Sequence, residues 1–300
     1  MLTNFKELEN YVLSQNMKKR IALANAHDEP ALSAVVNAHR KGVVEGTLVG
    51  KKDEIIAMLH EMGESERDYE IVDFDGEELE AAKIAVQLVR EGKADIPMKG
   101  ILQTSNFARA ILNKETGLIP TGGRRLVSQC GIFEYEGRFV MITDAAINIA
   151  PDVETQIGIV ENALPVARAL GIECPKVAVL SAVENVTDKM PSTVSAKEIA
   201  ERGVAGCVIS GPLALDGAIS MESVKHKSIH DPVAGQADIL LVPFIEIGNV
   251  LYKACTYIAG KTMASTICGA SCPVIITSRA DTPDSKYYSI LMAVLRCLKA

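Results

Sequence analysis

Short apolar runs rich in β-branched residues alternate along this chain with longer segments whose apolar residues recur at helical spacing. Residues 52–62 illustrate the helical pattern, because positions 55, 56, 59 and 62 are apolar and fall on one face of a helix. We predict strands at 20–24, 47–50, 69–74, 94–98, 139–143, 176–180, 206–209, 239–242 and 273–277. We predict helices at 52–62, 77–91, 106–112, 153–170, 196–202, 221–227, 247–258 and 285–298.

Strands that alternate with helices predict βα units and mainly parallel sheets. The predicted strands are apolar throughout, as expected where helices cover both faces of a sheet. Asp28 and Pro30 are typical of the start of a helix that follows the first strand. Residues 118–137 break the rhythm with Gly, Pro and charged residues, and we interpret them as a joint between two domains. A length of 300 residues also favours two domains, so the predicted fold class is α/β with two sheets.

The composition excludes several classes of protein. Acidic residues outnumber basic ones by 38 to 31, and aromatic residues make up only 4% of the chain. With 48% hydrophobic residues, these values argue against a disordered chain and against a nucleic-acid partner. The 7 cysteines are odd in number and scattered, which favours free thiols in a reducing compartment. The apolar stretch 239–245 is too short to span a membrane and the first residues are unlike a signal peptide, so we predict a soluble cytoplasmic protein.

Polar residues follow most of the predicted strands, at the sheet edge where α/β proteins bind ligands. The segments at this edge are 25–27, 99–105, 144–148, 181–185, 210–216, 243–249 and 278–284. One has the character of an anion site, because Lys99 and Gly100 precede a predicted helix start. Thr104 and Ser105 supply hydroxyl groups there, and Arg109 lies one helical turn further on. The alternative is that Ser105 only caps the helix and Arg109 is solvated.

A second anion site is predicted near the end of the chain. Ser278 and Arg279 follow a predicted strand, and Asp281 and Asp284 open the last helix. Because the helix dipole also favours Asp at a helix start, simple capping is again the alternative. Taken together, the two segments favour a ligand that carries phosphate.

Several motifs of other enzyme classes are absent. No Gly-x-Gly-x-x-Gly segment follows a predicted strand, so a Rossmann dinucleotide site is not supported. His226 and His230 would face one metal ion if they lay on a helix. Lysines flank His226, however, and Asp231 and Pro232 would end any helix nearby. We therefore predict no metal site.

A series of segments over about residues 18–295 resembles the phosphate acetyl- and butyryltransferases, in order and with few gaps. The segments are MKGILQTS (98–105), TDAAINI (143–149), PKVAVLSAVE (175–184), SGPLALDGAIS (210–220), PVAGQADILLVP (232–243), GNVLYK (248–253) and TSRAD (277–281). The chain is similar to the butyryl branch of that family in its Met-Lys-Gly turn at 98–100, where acetyltransferases carry Gly-x-x-His. The block Gly-Pro-Leu-Ala-Leu-Asp at 211–216 indicates the same branch.

The resemblance implies two α/β domains with mainly parallel sheets and a cleft between them, similar to the isocitrate and isopropylmalate dehydrogenases. By analogy, residues 1–128 plus 268–300 form one domain and residues 129–267 form the other. The implied reaction is reversible transfer of a butanoyl group from coenzyme A to inorganic phosphate, by direct displacement in a ternary complex. The resemblance implies no cofactor besides these substrates. Because the family's chains commonly pair, we expect a homodimer or higher homo-oligomer.

Matching the family's motifs residue by residue assigns roles to several positions. Ser278 would hydrogen-bond the thioester sulfur or the oxyanion, and Arg279 would stabilise the developing charge. Arg109 would bind phosphate. The residues that would support it are Lys99, Thr104 and Ser105. Other positions that match motifs facing the cleft are Asp144, Asn148, Glu246, Asn249 and Lys253.

Two departures from the family pattern bear on the chemistry. Ser285 stands where acetyltransferases carry a catalytic Asp. Asp284 or Asp281 would act in its place as base toward the thiol of coenzyme A. Phe244 replaces the Asp that usually follows the motif Pro, and it either shapes the acyl pocket or only packs.

Three other functions stay open on the sequence alone. The first is transfer of an acetyl or other short chain on the same scaffold, since one methylene changes transition-state binding by only about 1–3 kcal/mol. The second is a metal-dependent dehydrogenase, which the shared fold suggests. The third is a catalytically silent protein that binds coenzyme A, which the Ser285 departure suggests.

Overall fold

A computed structural model describes residues 1–120, 122, 124–277 and 281–299 of the chain. The chain divides into two compact units. The flanking unit comprises Phe5–Arg125 and Ala264–Ala300, and the central unit comprises Met1–Asn4 and Leu126–Met263. Both contain strands that alternate with helices, which confirms the α/β class. Among the described residues, no helix combines the length and the apolar character that crossing a membrane requires.

Four parallel strands form the sheet of the flanking unit, in the order β3-β2-β1-β4. The strands are β1 (Lys19–Ala24), β2 (Val44–Gly50), β3 (Glu70–Asp73) and β4 (Ile96–Lys99). The helices are α1 (Phe5–Ser14), α2 (Glu29–Arg40), α3 (Lys52–Glu61), α4 (Glu78–Arg90), α5 (Thr104–Ile111) and, at the end of the chain, α11 (Pro283–Lys299). Ile21 and Leu23 are fully buried, as expected for a parallel strand covered on both faces. Ala24 lies opposite both Val49 and Lys99, so three strands end at one edge of the sheet.

Five strands of the central unit lie in the order β5-β6-β9-β7-β8. The strands are β5 (Ser128–Tyr135), β6 (Arg138–Thr143), β7 (Lys176–Leu180), β8 (Val208–Leu213) and β9 (Ile239–Leu241). The helices are α6 (Val153–Ala169), α7 (Pro191–Arg202), α8 (Leu215–Ile219), α9 (Met221–Lys227) and α10 (Ile245–Lys253). β5 and β6 form an antiparallel hairpin, and the other pairs are parallel. Leu241 lies opposite both Thr143 and Val179, so β6, β7 and β9 also end at one edge.

The structure corrects several predicted elements. Residues 118–137, which we interpreted as a joint, do contain the boundary between the two units, after Arg125. They also contain the strand β5, which was not predicted and whose first part is buried. Residues 273–277 form only isolated bridges, because their pairing does not extend along a neighbouring strand. A strand that was not predicted, β10 (Met263–Cys268), contains Ser and Thr and therefore lacks a continuous apolar run. The helix predicted at 247–258 ends as α10 at Lys253 and continues as a π-helical turn, Ala254–Ile258.

Candidate functional site

The Asp144 carboxylate organises the turn that follows β6 in the central unit. Its Oδ1 accepts hydrogen bonds from the backbone N–H groups of Gln129, Ala146 and Ile147, at 3.1, 2.9 and 3.1 Å. Its Oδ2 accepts from the backbone N–H of Asn148 at 3.0 Å and from the Asn148 Nδ2 at 2.6 Å. Burial raises the pKa of Asp144, and these donors oppose that effect. The carboxylate is therefore committed to holding the turn.

Helix α10 approaches this turn closely. A Cβ at Gly248 would lie 2.5 Å from the backbone oxygen of Asp144, so the contact requires glycine. Asn249 donates from its Nδ2 to the backbone oxygen of Ala145 at 3.3 Å. The structure thus brings two predicted site residues to the same sheet edge, Asn249 from α10 and Asn148 from the turn.

Glu246 and Lys253 were predicted for the same site but lie at different places on α10. Glu246 is exposed in the first turn of the helix, next to the sheet edge. Lys253 is exposed and is the last residue of the helix. Because an α-helix rises about 1.5 Å per residue, Lys253 lies about 10 Å beyond Glu246 along the helix axis.

Two exposed apolar side chains flank the polar Asp144 turn. Phe244 precedes α10 and is 40% exposed, and Ile149 follows Asn148 and is 69% exposed. The backbone N–H of Ile245 donates to the backbone oxygen of Ile149 at 3.0 Å, which joins the two segments. An apolar surface beside a polar turn suits a ligand that has both a polar and an aliphatic part.

In the flanking unit, the turn after β4 packs against the end of β1. A Cβ at Gly100 would lie 2.3 Å from the backbone oxygen of Asn25, so this turn also requires glycine. Lys99 is buried, and its ammonium donates to the backbone oxygens of Gly100 and Leu102 at 3.1 and 3.0 Å. These hydrogen bonds stabilise the turn that leads into α5.

The start of α5 leaves polar groups available to a ligand. Glu78 Oε2 accepts from the backbone N–H of Gln103 at 2.8 Å, at the N-cap position of the helix. Within the described part of the chain, the side chains of Thr104, Ser105 and Arg109 make no hydrogen bond, and Ser105 and Arg109 are exposed. The structure therefore does not support the alternative that Ser105 caps this helix.

The predicted catalytic pair, Ser278 and Arg279, lies outside the described residues, and its roles stay predictions. The two candidate bases beside it differ in exposure. Asp281 is only 8% exposed, whereas Asp284 is exposed in the first turn of α11. Of the two carboxylates, only that of Asp281 is buried.

Ser285, at the position of the family's catalytic Asp, belongs to the N-terminal cap of α11. Its backbone N–H donates to Thr282 Oγ1 at 3.1 Å, and the two hydroxyl oxygens are 3.0 Å apart. Its backbone oxygen accepts from the Ser289 hydroxyl at 2.7 Å. A serine here thus stabilises the helix start.

Lys286 is a functional candidate that the sequence analysis missed. It is 2% exposed, although lysine is rarely buried without a partner. Its ammonium donates to Thr277 Oγ1 at 3.5 Å and interacts electrostatically with the carboxylates of Asp281 and Asp28. Asp28 occupies the predicted N-cap position of α2, but its side chain makes no capping hydrogen bond. The sequence held one signal that could have identified Lys286, namely a lysine among the apolar residues that form one face of α11.

The two histidines considered as metal ligands do not share a helix face. His226 lies in the last turn of α9, which ends at Lys227, and Ser228 follows in the left-handed conformation with a φ of 51°. His230 lies beyond that point. In the ranges that the structure describes, no group of three or more His, Cys, Asp or Glu side chains is arranged to hold a metal ion.

Comparison with known protein families gives one match over most of the chain. The family described as "Phosphate acetyl/butaryl transferase" matches residues 76–294. The chain is 44% identical to the phosphate butyryltransferase of Clostridium acetobutylicum, over 98% of each chain. It is 37% identical to the phosphate acetyltransferase of Thermotoga maritima, over 94% of this chain and 97% of that relative.

Solved structures give a consistent result. A branched-chain phosphotransacylase from Enterococcus faecalis is similar with a TM-score of 0.82 and 35% identity, over 93% of this chain and 98% of that one. The 4-hydroxythreonine-4-phosphate dehydrogenase of Klebsiella pneumoniae is similar with a TM-score of 0.53 and 12% identity, over 92% of this chain and 98% of that one. The second similarity concerns the fold alone, and it confirms the expected relation to dehydrogenase-like α/β folds.

Proposed function

This chain belongs to the phosphate acetyl/butyryl transferase family, and we propose that it transfers a short acyl group, butanoyl in the first place, between coenzyme A and inorganic phosphate. The single observation that carries the proposal is 44% identity, over 98% of each chain, to a phosphate butyryltransferase. The 37% identity to a phosphate acetyltransferase makes acetyl transfer the second candidate.

The reaction is a displacement at the thioester carbonyl. A phosphate oxygen forms a bond to the carbonyl carbon, the carbon–sulfur bond breaks, and the thiolate of coenzyme A leaves and takes up a proton. The protein must therefore hold a phosphate dianion, stabilise the tetrahedral oxyanion and assist departure of the thiolate. These tasks require coenzyme A thioester and phosphate as substrates, and we propose no additional cofactor.

Phosphate would bind at the start of α5. Arg109 is exposed there without an intramolecular partner among the described residues, and guanidinium groups bind phosphate oxygens in pairs of hydrogen bonds. The hydroxyls of Thr104 and Ser105 and the free backbone N–H groups of the first helical turn would add further donors. Glu78 already occupies the N–H of Gln103, so that group is not part of the proposed site.

The thioester would meet Ser278 and Arg279, the pair that matches the family motif. Ser278 would donate to the sulfur or the oxyanion, and Arg279 would stabilise the negative charge. We propose Asp281 rather than Asp284 as the base toward the thiol in the reverse direction, because its environment is buried and charged.

The preference for a four-carbon acyl group would come from the apolar pair beside the Asp144 turn. Phe244 and Ile149 are exposed at the sheet edge, where ligands of α/β proteins bind. Contact with the aliphatic chain would remove both side chains from water, which favours binding in proportion to the buried area.

We also propose that the chain forms a homo-oligomer through its central unit. A cavity of about 560 Å³ with a mainly apolar lining lies at the ends of β7 and β9. Two of its lining residues on α10, Ile247 and Val250, are 46% and 67% exposed. Exposed apolar patches typically mark interaction surfaces, and a second copy of this chain is the partner we propose. The molar mass in solution, measured by light scattering, tests this point.

A cytoplasmic location completes the proposal. All of the cysteines, including the exposed Cys174, are free thiols. Free thiols persist in reducing compartments, whereas oxidising compartments favour disulfides. Measuring the protein in separated cell fractions would test the location.

Release of free thiol tests the proposed reaction. Acetyl-, propanoyl-, butanoyl- and pentanoyl-CoA are each incubated with the protein, with and without inorganic phosphate. We expect phosphate-dependent release that is greatest for butanoyl-CoA. A maximum at acetyl-CoA would favour the second candidate, and no release from any thioester would contradict phosphate acyl transfer altogether.

A further inference from the structure

A carboxylate of α4 caps the start of the neighbouring helix α5. Glu78 Oε2 accepts hydrogen bonds from the backbone N–H of Gln103 at 2.8 Å and from the Asn106 Nδ2 at 3.0 Å. Gln103 is the N-cap residue of α5, and Asn106 lies in the first turn of that helix. In a capping box, the side chain three residues after the N-cap reaches back to the N–H of the N-cap. Here Glu78 makes that hydrogen bond from another helix, and Asn106 donates to Glu78 instead.

The residues of α5 itself leave the capping of this helix to Glu78. The Gln103 side chain makes no capping hydrogen bond, and glutamine is not among the residues preferred at an N-cap. Thr104 and Ser105 are of preferred types, but they stand one and two positions inside the helix. Within the described part of the chain, their hydroxyl groups make no hydrogen bond. The cap from α4 therefore holds the helix start without using the hydroxyl groups that we propose for phosphate binding.

The other donors of the proposed phosphate site depend on the same turn. Glu78 accepts from the N–H of Gln103, whereas the N–H groups of Thr104 and Ser105 have no acceptor among the residues that the structure describes. Free N–H groups at a helix start bind anionic oxygens. Arg109 follows Ser105 by four residues, so the two side chains lie on the same face of α5. Hydroxyl, backbone and guanidinium donors are thus all placed by the first turn of this helix.

The chain just before this turn is anchored independently of Glu78. Asn25 Nδ2 donates to the Ile101 oxygen at 3.2 Å, and the Ile101 N–H donates to the Asn25 oxygen at 3.2 Å. Lys99 Nζ donates to the Leu102 oxygen at 3.0 Å. Residues up to 102 are therefore held by the end of β1 and by Lys99, and the effect of losing Glu78 should be confined to the first turn of α5.

We propose that Glu78 is a positioning residue for phosphate binding, whose carboxylate holds the first turn of α5 so that Thr104, Ser105 and Arg109 converge on phosphate. This inference rests on the proposed function, and it assigns no contact with substrate to Glu78. Without the carboxylate the turn would fray, and phosphate would bind only to the fraction of molecules in which the turn is ordered. The loss therefore acts on the KM for phosphate, whereas saturating phosphate restores turnover.

The test is a Glu78→Ala variant of the full-length protein, assayed by phosphate-dependent release of thiol from butanoyl-CoA. We expect the KM for phosphate to rise by about tenfold, because the cap and the hydrogen bond from Asn106 are lost together. The kcat at saturating phosphate and the KM for butanoyl-CoA should stay within about twofold. Glu78→Gln should keep every constant within about twofold, since its amide oxygen accepts from Gln103 and the Asn106 amide can turn to accept from its nitrogen.

The matched control is Glu80→Ala in the same turn of α4. Glu80 is exposed, and its carboxylate accepts from Lys83 Nζ at 2.6 Å, so its partner lies on α4 rather than on α5. This variant also removes a carboxylate that interacts favourably with the dipole of α4. We expect it to keep the KM for phosphate of the unmodified protein.

The outcomes separate this inference from the proposed function. An active unmodified protein together with a folded Glu78→Ala variant whose KM for phosphate is unchanged or lowered would overturn the inference alone. A Glu78→Gln variant as impaired as Glu78→Ala would also overturn it, because hydrogen bonds would then not be the cause. No thiol release by the unmodified protein would overturn the proposed function and the inference with it.

A further variant decides the question if Glu78→Ala does not fold. Asn106→Ala removes one of the two donors to Glu78 and leaves α4 unchanged. A rise of about fourfold in its KM for phosphate, with kcat kept, would support the positioning role. An unchanged KM for phosphate would overturn it.

Discussion

The Asn148 Nδ2 donates to Asp144 Oδ2 at 2.6 Å, which is the shortest of the hydrogen bonds found for this carboxylate. The same oxygen also accepts from the backbone N–H of Asn148 at 3.0 Å. Asn148 is therefore held by both its backbone and its side chain. A buried carboxylate that accepts several hydrogen bonds fixes a turn more firmly than backbone contacts alone. If a donor moved away to bond water, the buried carboxylate would lose a hydrogen bond, which costs free energy.

Replacement of Asp144 by Asn tests this structural role. The amide would place an N–H donor where the carboxylate now accepts hydrogen bonds, so donors would face donors. We expect the free energy of unfolding to fall by about 2–4 kcal/mol, measured by urea unfolding at neutral pH. The control is Asp152→Asn at the N-cap of α6, where Asn retains the cap to the backbone N–H of Thr155. That variant should lose less than about 0.5 kcal/mol, and equal losses would contradict the proposed role of Asp144.

Replacement of Arg109 by Ala tests phosphate binding at the start of α5. Hydrogen bonds to charged groups contribute about 1.5–3 kcal/mol, so we expect the KM for phosphate to rise by roughly 10- to 100-fold. The KM for butanoyl-CoA should change little. Arg67→Ala, in the exposed 3-10 turn Glu66–Asp68, serves as the control for loss of a surface guanidinium. If the KM for phosphate does not change, Arg109 is a solvated residue.

The two candidate bases are distinguished by Asp281→Asn and Asp284→Asn. The reverse reaction, from coenzyme A and butanoyl phosphate, is the informative direction because the thiol must lose its proton there. General bases typically contribute 10²- to 10⁴-fold, so we expect kcat of Asp281→Asn to fall by at least about 100-fold. Asp284 is exposed, and its variant should turn over at a nearly unchanged rate. The opposite result would assign the base to Asp284.

The fold was predictable where strands are continuous apolar runs and was missed where they are not. β7 matches its predicted bounds because Lys176–Leu180 is a central parallel strand with a buried apolar sequence. β5 was not predicted because Gln129 and Gly131 interrupt its apolar sequence. The structure requires glycine at 131, since a Cβ there would lie 2.7 Å from the Tyr252 ring. The sequence did hold a hairpin signal. Glu136 and Gly137 both have positive φ, of 47° and 76°, as a tight type I′ turn requires.

The sequence could predict those site residues that directly follow a strand. In α/β proteins, ligands bind at the carboxyl ends of the strands, and the order of residues along the chain is enough to find these ends. The structure places Asp144, Asn148 and Lys99 at such ends. Lys286 could not be found in this way. It lies within a helix, and its electrostatic interaction with Asp28 arises only when the flanking unit folds.

Glu9 gives the flanking unit a stability that depends on pH. The carboxylate on α1 accepts hydrogen bonds from Lys41 Nζ at 2.6 Å, Lys6 Nζ at 3.0 Å and the Tyr287 hydroxyl at 2.9 Å. Burial favours the neutral form of Glu9, but these donors outweigh it and lower its pKa from 4.5 to about 2. Because the folded-state pKa lies below the unfolded one, this stabilisation is present above about pH 4.5 and is lost as the pH falls toward 2.

The variant Glu9→Gln should therefore lower the free energy of unfolding by about 2–3 kcal/mol at pH 7 and by much less near pH 2.5. Urea unfolding at both pH values measures the difference. Glu61→Gln is the control, because Glu61 is exposed at the end of α3 and its replacement should have the same small effect at both pH values. A loss for Glu9→Gln that does not depend on pH would show that packing, rather than charge, holds α1.

The chain-length preference is tested by Phe244→Asp. Phe244 is the N-cap residue of α10, and Asp is a favourable N-cap, so the variant should fold. Loss of the apolar contact weakens binding of each buried methylene by about 0.8 kcal/mol, and butanoyl exceeds acetyl by two of them. We therefore expect the ratio of kcat/KM for butanoyl-CoA to that for acetyl-CoA to fall by about tenfold. Ile258→Asp, at a position 86% exposed in the π-helical turn, should leave this ratio unchanged. If Phe244→Asp also leaves it unchanged, Phe244 only packs, and the acyl chain is selected elsewhere.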